Sequence, residues 1–69
     1  MAKNGPAHTI RIGYVKATIW KNGDYYNANV TRSFKNDKGD WQDGDSFGHA
    51  DLLNAAECLR KAEAWISAQ

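Results

Sequence analysis

Trp20 and Tyr25 flank the segment Lys21-Asn22-Gly23-Asp24, and Tyr14, Lys16, Thr18, Asn27, Asn29 and Thr31 continue from them at every second position. Aromatic rings stack on unpaired nucleic-acid bases at about 1–3 kcal/mol each, while lysines and amides hold phosphates without reading sequence. Gathered on one face of a sheet, these residues compose a platform for a single strand. A plainer reading stands beside it: a solvated antiparallel sheet favours Thr, Tyr and Trp in any case, and a Trp–Tyr cross-strand pair adds about 0.2–1 kcal/mol to a hairpin.

No other grouping suggests chemistry. Asp37, Asp40, Asp43 and Asp45 are close in sequence, but their spacing misplaces the oxygen ligands of a calcium loop and no closing glutamate follows. They read as a solvated acidic turn. His8 and His49 have neither a third metal ligand nor a nucleophile nearby, and Ser33 and Ser46 have no base at a recognisable spacing. The expectation is a protein that is not an enzyme, with no metal, no cofactor and no small-molecule substrate.

The elements that must position the platform fit a short chain. Sixty-nine residues make one small domain, which buries only about 60% of the surface its unfolded chain exposes. The lone Cys58 cannot form an internal disulfide, and with two histidines it cannot complete a zinc tetrad. No run approaches the roughly 18 apolar residues of a membrane span, and the start Met1-Ala2-Lys3-Asn4-Gly5-Pro6 lacks a signal-like apolar stretch. A cytoplasmic location without membrane contact is expected. Residues 1–8 read as a flexible tail and 9–69 as the domain.

From Thr9 to Phe34 the chain is rich in β-branched and aromatic residues, and Asn22-Gly23 suits a two-residue type I′ hairpin turn. That turn pairs Trp20 with Tyr25, Ile19 with Tyr26, Thr18 with Asn27, Ala17 with Ala28, Lys16 with Asn29, Val15 with Val30 and Tyr14 with Thr31. Val15, Ala17, Ile19, Tyr26, Ala28 and Val30 then form an apolar face, and the platform residues form the other. Continued upstream, the same alternation would turn Arg11 inward and Ile10 and Ile12 outward. A bulge at Gly13 is the expected remedy. After the polar turn 35–40, residues 41–47 read as a short strand or strand pair interrupted at Gly44.

The chain ends in a helix from about His49 to Ala68, with Asp51 in its first turn and Leu52, Ala55, Ala56, Leu59, Ala62 and Ile66 on one face. Leu53, Cys58 and Trp65 widen that face beyond what a small sheet can cover. A homodimer built on Leu53, Cys58, Leu59, Trp65 and Ile66 is therefore expected. The fold class is α+β: a curved antiparallel sheet of three to four strands followed by one long C-terminal helix.

Charge divides along the chain. Lys3, Arg11, Lys16, Lys21, Arg32 and Lys35 oppose only Asp24 up to residue 35, a net +5. Beyond it, Lys38, Arg60 and Lys61 oppose Asp37, Asp40, Asp43, Asp45, Asp51, Glu57 and Glu63, a net −4. A positive side of this kind tilts the platform residues toward a polyanion, with Lys16, Arg32 and Lys35 neutralising phosphates around Trp20 and Tyr25. Arg32 reaches that face only if the Gly13 bulge flips it outward.

Ile12-Gly13 followed by Tyr14-Val15-Lys16, the turn at Asn22-Gly23, the strand through Arg32-Ser33-Phe34, the turn Asp37-Lys38-Gly39 and Ser46-Phe47 before the helix resemble the single-stranded-DNA-binding domain of the transcriptional coactivator positive cofactor four and its bacterial and phage relatives. The resemblance spans Ile10 to about Ile66. It implies a helix-paired dimer whose curved sheet holds single-stranded DNA, or RNA, through Lys16, Thr18, Trp20, Asn27, Asn29 and Arg32, in a transcription or replication accessory role. Asp45-Ser46-Phe47-Gly48, Asp51-Leu52-Leu53 and Trp65-Ile66 also resemble the endings of short plasmid and phage proteins of unassigned role. Lys61-Ala62-Glu63-Ala64-Trp65-Ile66 after a sheet is similar to the arm-binding domains of phage integrases, which implies duplex DNA as the alternative partner. A protein-interaction module without nucleic-acid activity is the third reading.

Overall fold

Two glycine turns set the sheet. In a computed structural model that describes residues 5–69, the strands are β1 (His8–Ile12), β2 (Val15–Asn22), β3 (Tyr25–Lys35) and β4 (Trp41–Gly44). They form one antiparallel sheet in the order β1-β2-β3-β4. A single 3₁₀ turn, His49–Asp51, leads into helix α1 (Leu52–Ser67). The architecture is α+β, with an open curved sheet and one C-terminal helix.

Gly13 does not make a bulge. It opens a two-residue turn, Gly13-Tyr14, with φ of 61°, and Ile12 pairs with Val15 across it. Positive φ is open to glycine at little cost, so the chain reverses here and starts a separate strand. Ile10 then pairs with Ala17, which turns Ile10 and Ile12 to the core side and Arg11, opposite Lys16, to the outer side.

At the second turn, Gly23 and Asp24 form the loop in place of Asn22-Gly23, and Asn22 pairs with Tyr25. Gly23 has φ of 60°, and no residue other than glycine has positive φ among the described residues. A type I′ turn needs positive φ at both central positions, whereas one glycine at the first position suits type II′. The pairing therefore moves by two residues: Trp20 faces Asn27 and Lys16 faces Thr31. A two-residue shift keeps every side chain on its expected face and changes only its cross-strand neighbour.

The core lies between β2 and α1. Val15, Ala17, Ile19, Cys58 and Ala62 are buried, and Ile10, Ile12, Tyr26, Val30, Phe47, Ala55, Trp65 and Ile66 pack around them. Small residues at 17, 55, 58 and 62 let the helix settle close to the strands. The packed stripe of α1 is thus centred on Cys58 and Ala62, leaving Leu52 and Leu59 about half exposed and Leu53 largely so. Burial pushes the Cys58 thiol pKa up, because the thiolate would lose its hydration there.

Arg32 closes the inner side. Its guanidinium Nε donates to the Ser46 carbonyl at 3.0 Å and lies 3.4 Å from Asp51 Oδ2. Asp51 Oδ2 also accepts from the Gly48 backbone N–H at 3.1 Å. One arginine thereby ties β3 to the segment that starts the helix. Within the segment 1–8 expected as a tail, the Ala7 N–H donates to the Ile19 carbonyl at 2.7 Å and His8 begins β1, while residues 1–4 lie outside the described part.

Candidate nucleic-acid interface

The face of the sheet turned away from α1 carries most of the residues picked out above. Thr18 lies between Thr9 and Asn29, Lys16 between Arg11 and Thr31, and Trp20 beside Asn27. Tyr25 lies opposite Asn22 and is 75% exposed, so it is a diagonal neighbour of Trp20 and not its direct partner.

The densest aromatic grouping is at the other end of this face. Tyr14, held at the tip of the first turn, stacks on Trp41 with ring centroids 5.8 Å apart and planes at 29°. The two rings are each 57% exposed. Lys35 pairs with Trp41 across the β3–β4 ladder and holds its Nζ 5.5 Å from the indole centroid. Arg11, Gly13, Tyr14, Ser33 and Trp41 line a shallow cleft of about 360 Å³. The cleft offers two partly exposed aromatic rings, a guanidinium and a hydroxyl, which suits a flat ring attached to an anion.

Asp43 tempers this site. Its Oδ2 is 3.4 Å from Lys16 Nζ and its Oδ1 accepts from the Ser33 hydroxyl at 3.1 Å. The acidic turn before it is self-contained, since Asn36 Oδ1 accepts from the N–H groups of Lys38 and Asp40 at 2.9 and 3.0 Å.

Four residues assigned to the outer face or the dimer surface lie elsewhere. Arg32 faces the helix side and is engaged by Ser46 and Asp51; without a bulge, nothing turns it outward. Its six-membered basic set is also divided by the alternation, because Lys21 joins Arg32 on the inner side, with its Nζ 5.8 Å from the Tyr26 ring. On the helix, Cys58 has no exposed surface to offer a second chain. Trp65 is occupied as well: it stacks on His8 at 4.9 Å with planes 3° apart and meets Tyr26 edge-on at 5.6 Å. Ile66 packs against the core, which leaves Leu53 and Leu59 as the exposed members of that set.

Sequence reasoning missed Arg11 and Trp41. Arg11 was detectable, since Ile10 and Ile12 on the core side oblige the residue between them to face outward. Trp41 needed the β3–β4 register, for which residues 35–40 give no turn with a single preferred geometry. Among the described residues, no three His, Cys, Asp or Glu side chains are grouped to hold a metal ion, and no helix is long and apolar enough to cross a membrane. Comparison with known protein families, curated proteins and solved structures finds no match to this chain.

Proposed function

We propose that the outer face of the sheet binds single-stranded nucleic acid without catalysis, through base stacking at Tyr14 and Trp41 and phosphate contacts from Arg11, Lys16 and Lys35. The observation that carries this is the pair of half-exposed stacked rings, with Lys35 over one of them and Arg11 lining the same cleft. Solvent-exposed aromatics of this size have no role in the core, and their π faces accept any base. Thr18, Asn27, Asn29 and Thr31 extend the surface with groups that hydrogen-bond to sugar and phosphate.

Titration of a labelled oligothymidylate beside a duplex of equal length, at two salt concentrations, tests the reading. Preference for the single strand supports it, and Trp41→Ala should weaken binding by about 1–3 kcal/mol with an unchanged salt slope. Duplex preference would favour the groove-binding alternative, and absence of binding to either would leave a protein-interaction module.

We also infer a second copy of the chain as the partner of α1. Leu52, Leu53 and Leu59 are exposed on it, and a shallow cleft of about 670 Å³ opens beside His49, Ala50, Leu52 and Leu53. Ala56 lies midway between Leu53 and Leu59, so an antiparallel crossing at Ala56 brings Leu53 against the partner's Leu59 in both directions, as a two-fold axis requires. Glu57 is 2.7 Å from Arg60 and 3.8 Å from Lys61. This weakly charged rim suits a like copy better than a strongly charged partner.

A further inference from the structure

We infer that the outer face holds two separate stacking stations, and that a strand must be about seven nucleotides long to occupy both. This rests on the single-strand reading above and adds the length of its ligand. The first station is Tyr14 with Trp41, and the second is Trp20 with Tyr25 near the Gly23 turn. Between them the rows Arg11–Lys16–Thr31 and Thr9–Thr18–Asn29 carry no aromatic side chain.

The spacing follows from the ladder. Ser33 donates its N–H to the Tyr14 carbonyl, and Asn27 pairs with Trp20, so the two stations are six residues apart along β3. At about 3.3–3.4 Å per residue this is roughly 20 Å. Bases stacked within one strand rise about 3.4 Å each, so roughly six steps, or about seven nucleotides, reach from one station to the other.

The middle of the path has its own reason to take a phosphate. Arg11 and Lys16 lie directly opposite each other on adjacent strands, and like charges so placed repel unless an anion lies between them. Asp43 reaches Lys16 from the β4 side and leaves Arg11 to the ligand. A strand anchored at one station would then meet the other at high effective concentration, so affinity should step upward with length instead of rising evenly.

The test is a fluorescence-anisotropy series on the full chain with oligothymidylates of about four, six, eight and twelve nucleotides. Affinity is expected to rise about tenfold or more between four and eight nucleotides and little thereafter. Trp20→Ala should abolish the step yet leave four-nucleotide binding within about twofold, because the Tyr14–Trp41 station still holds a short strand. Trp20→Phe, which keeps a ring, should preserve the step. Circular dichroism checks each fold, and Tyr25→Ala replaces Trp20→Ala if the latter does not fold. An even rise with length, or equal losses for short and long strands, would overturn the two-station arrangement while leaving single-strand binding intact. No binding at any length would overturn the underlying reading itself.

Discussion

Replacing Asp43 by asparagine is expected to tighten single-strand binding. Lys16 Nζ and Asp43 Oδ2 are 3.4 Å apart, with side chains 25% and 51% exposed. Unit charges at that separation attract by about 1.2 kcal/mol at the dielectric constant of water, and pairs this exposed retain about 0.2–1 kcal/mol after ordering and salt screening. A phosphate that takes Lys16 gives up this pairing and also lies beside the carboxylate. Removing the charge relieves both costs, a gain of about 1 kcal/mol, or roughly fivefold in Kd. Asparagine keeps an oxygen for the Ser33 hydroxyl, so the strand contact survives. Lys16 would then act as a full phosphate contact, steepening the dependence of log K on log salt by up to about 0.7. The gain should accordingly shrink to about twofold between roughly 50 and 200 mM salt. Anisotropy titrations at these two concentrations measure both quantities. Equal or weaker binding with an unchanged slope would show that no phosphate passes Lys16.

Gly13→Ala and Gly23→Ala each force a side chain into positive φ, at about 1–2 kcal/mol. A Cβ at Gly13 also lies 3.0 Å from Asn54 Nδ2, whereas one at Gly23 meets nothing within 4 Å. Gly13→Ala should therefore melt lower, where each kcal/mol shifts Tm by about 4–8 °C; equal melting points would show that α1 does not press on the first turn. Because burial raises the Cys58 pKa, the stability due to the neutral thiol is fully present below the unfolded value of about 8.5 and is lost as pH rises through the folded one. Urea melts should weaken above that pH in the parent and not in Cys58→Ala, and iodoacetamide should label Cys58 slowly until urea opens the fold. Labelling at a free-thiol rate under native conditions would contradict the burial. Leu53→Glu and Leu59→Glu should each convert the proposed dimer to a 7.7 kDa monomer by light scattering; a parent already monomeric at micromolar concentration would rule out self-association.

The alternation of Val15, Ala17 and Ile19 against Lys16, Thr18 and Trp20 was legible because side-chain direction depends on parity alone, which a two-residue slip leaves untouched. The partner of Trp20 was not, since Asn22-Gly23-Asp24 contains two turn solutions and the choice between them depends on whether Asn22 takes positive φ, as type I′ would require and as it does not here. The direction of Ile10 and Ile12 was readable and its cause was not: a bulge and a tight hairpin at Gly13 both restore the same face. On the helix, apolar periodicity identified an apolar arc but not its centre. Cys58 and Ala62 occupy that centre because small side chains permit the closest approach to β2, a packing preference that hydrophobicity does not encode. Trp41 joined the candidate site only through the β3–β4 pairing.

The order β1-β2-β3-β4 makes each strand pair with its neighbour in sequence, so the sheet can form one hairpin at a time with short loops to close. The helix is different: it meets the sheet where Cys58 packs beside Val15, some forty residues earlier. Ordering the sheet and docking the helix are thus kinetically separable events, and the second carries the larger chain-closure penalty. Transient undocking of α1 would expose the apolar side of an otherwise hydrogen-bonded sheet. Amide exchange in α1 should accordingly run ahead of exchange in β2, and the lifetime of the docked helix, more than that of the hairpins, should set how often this protein is vulnerable to proteolysis and aggregation.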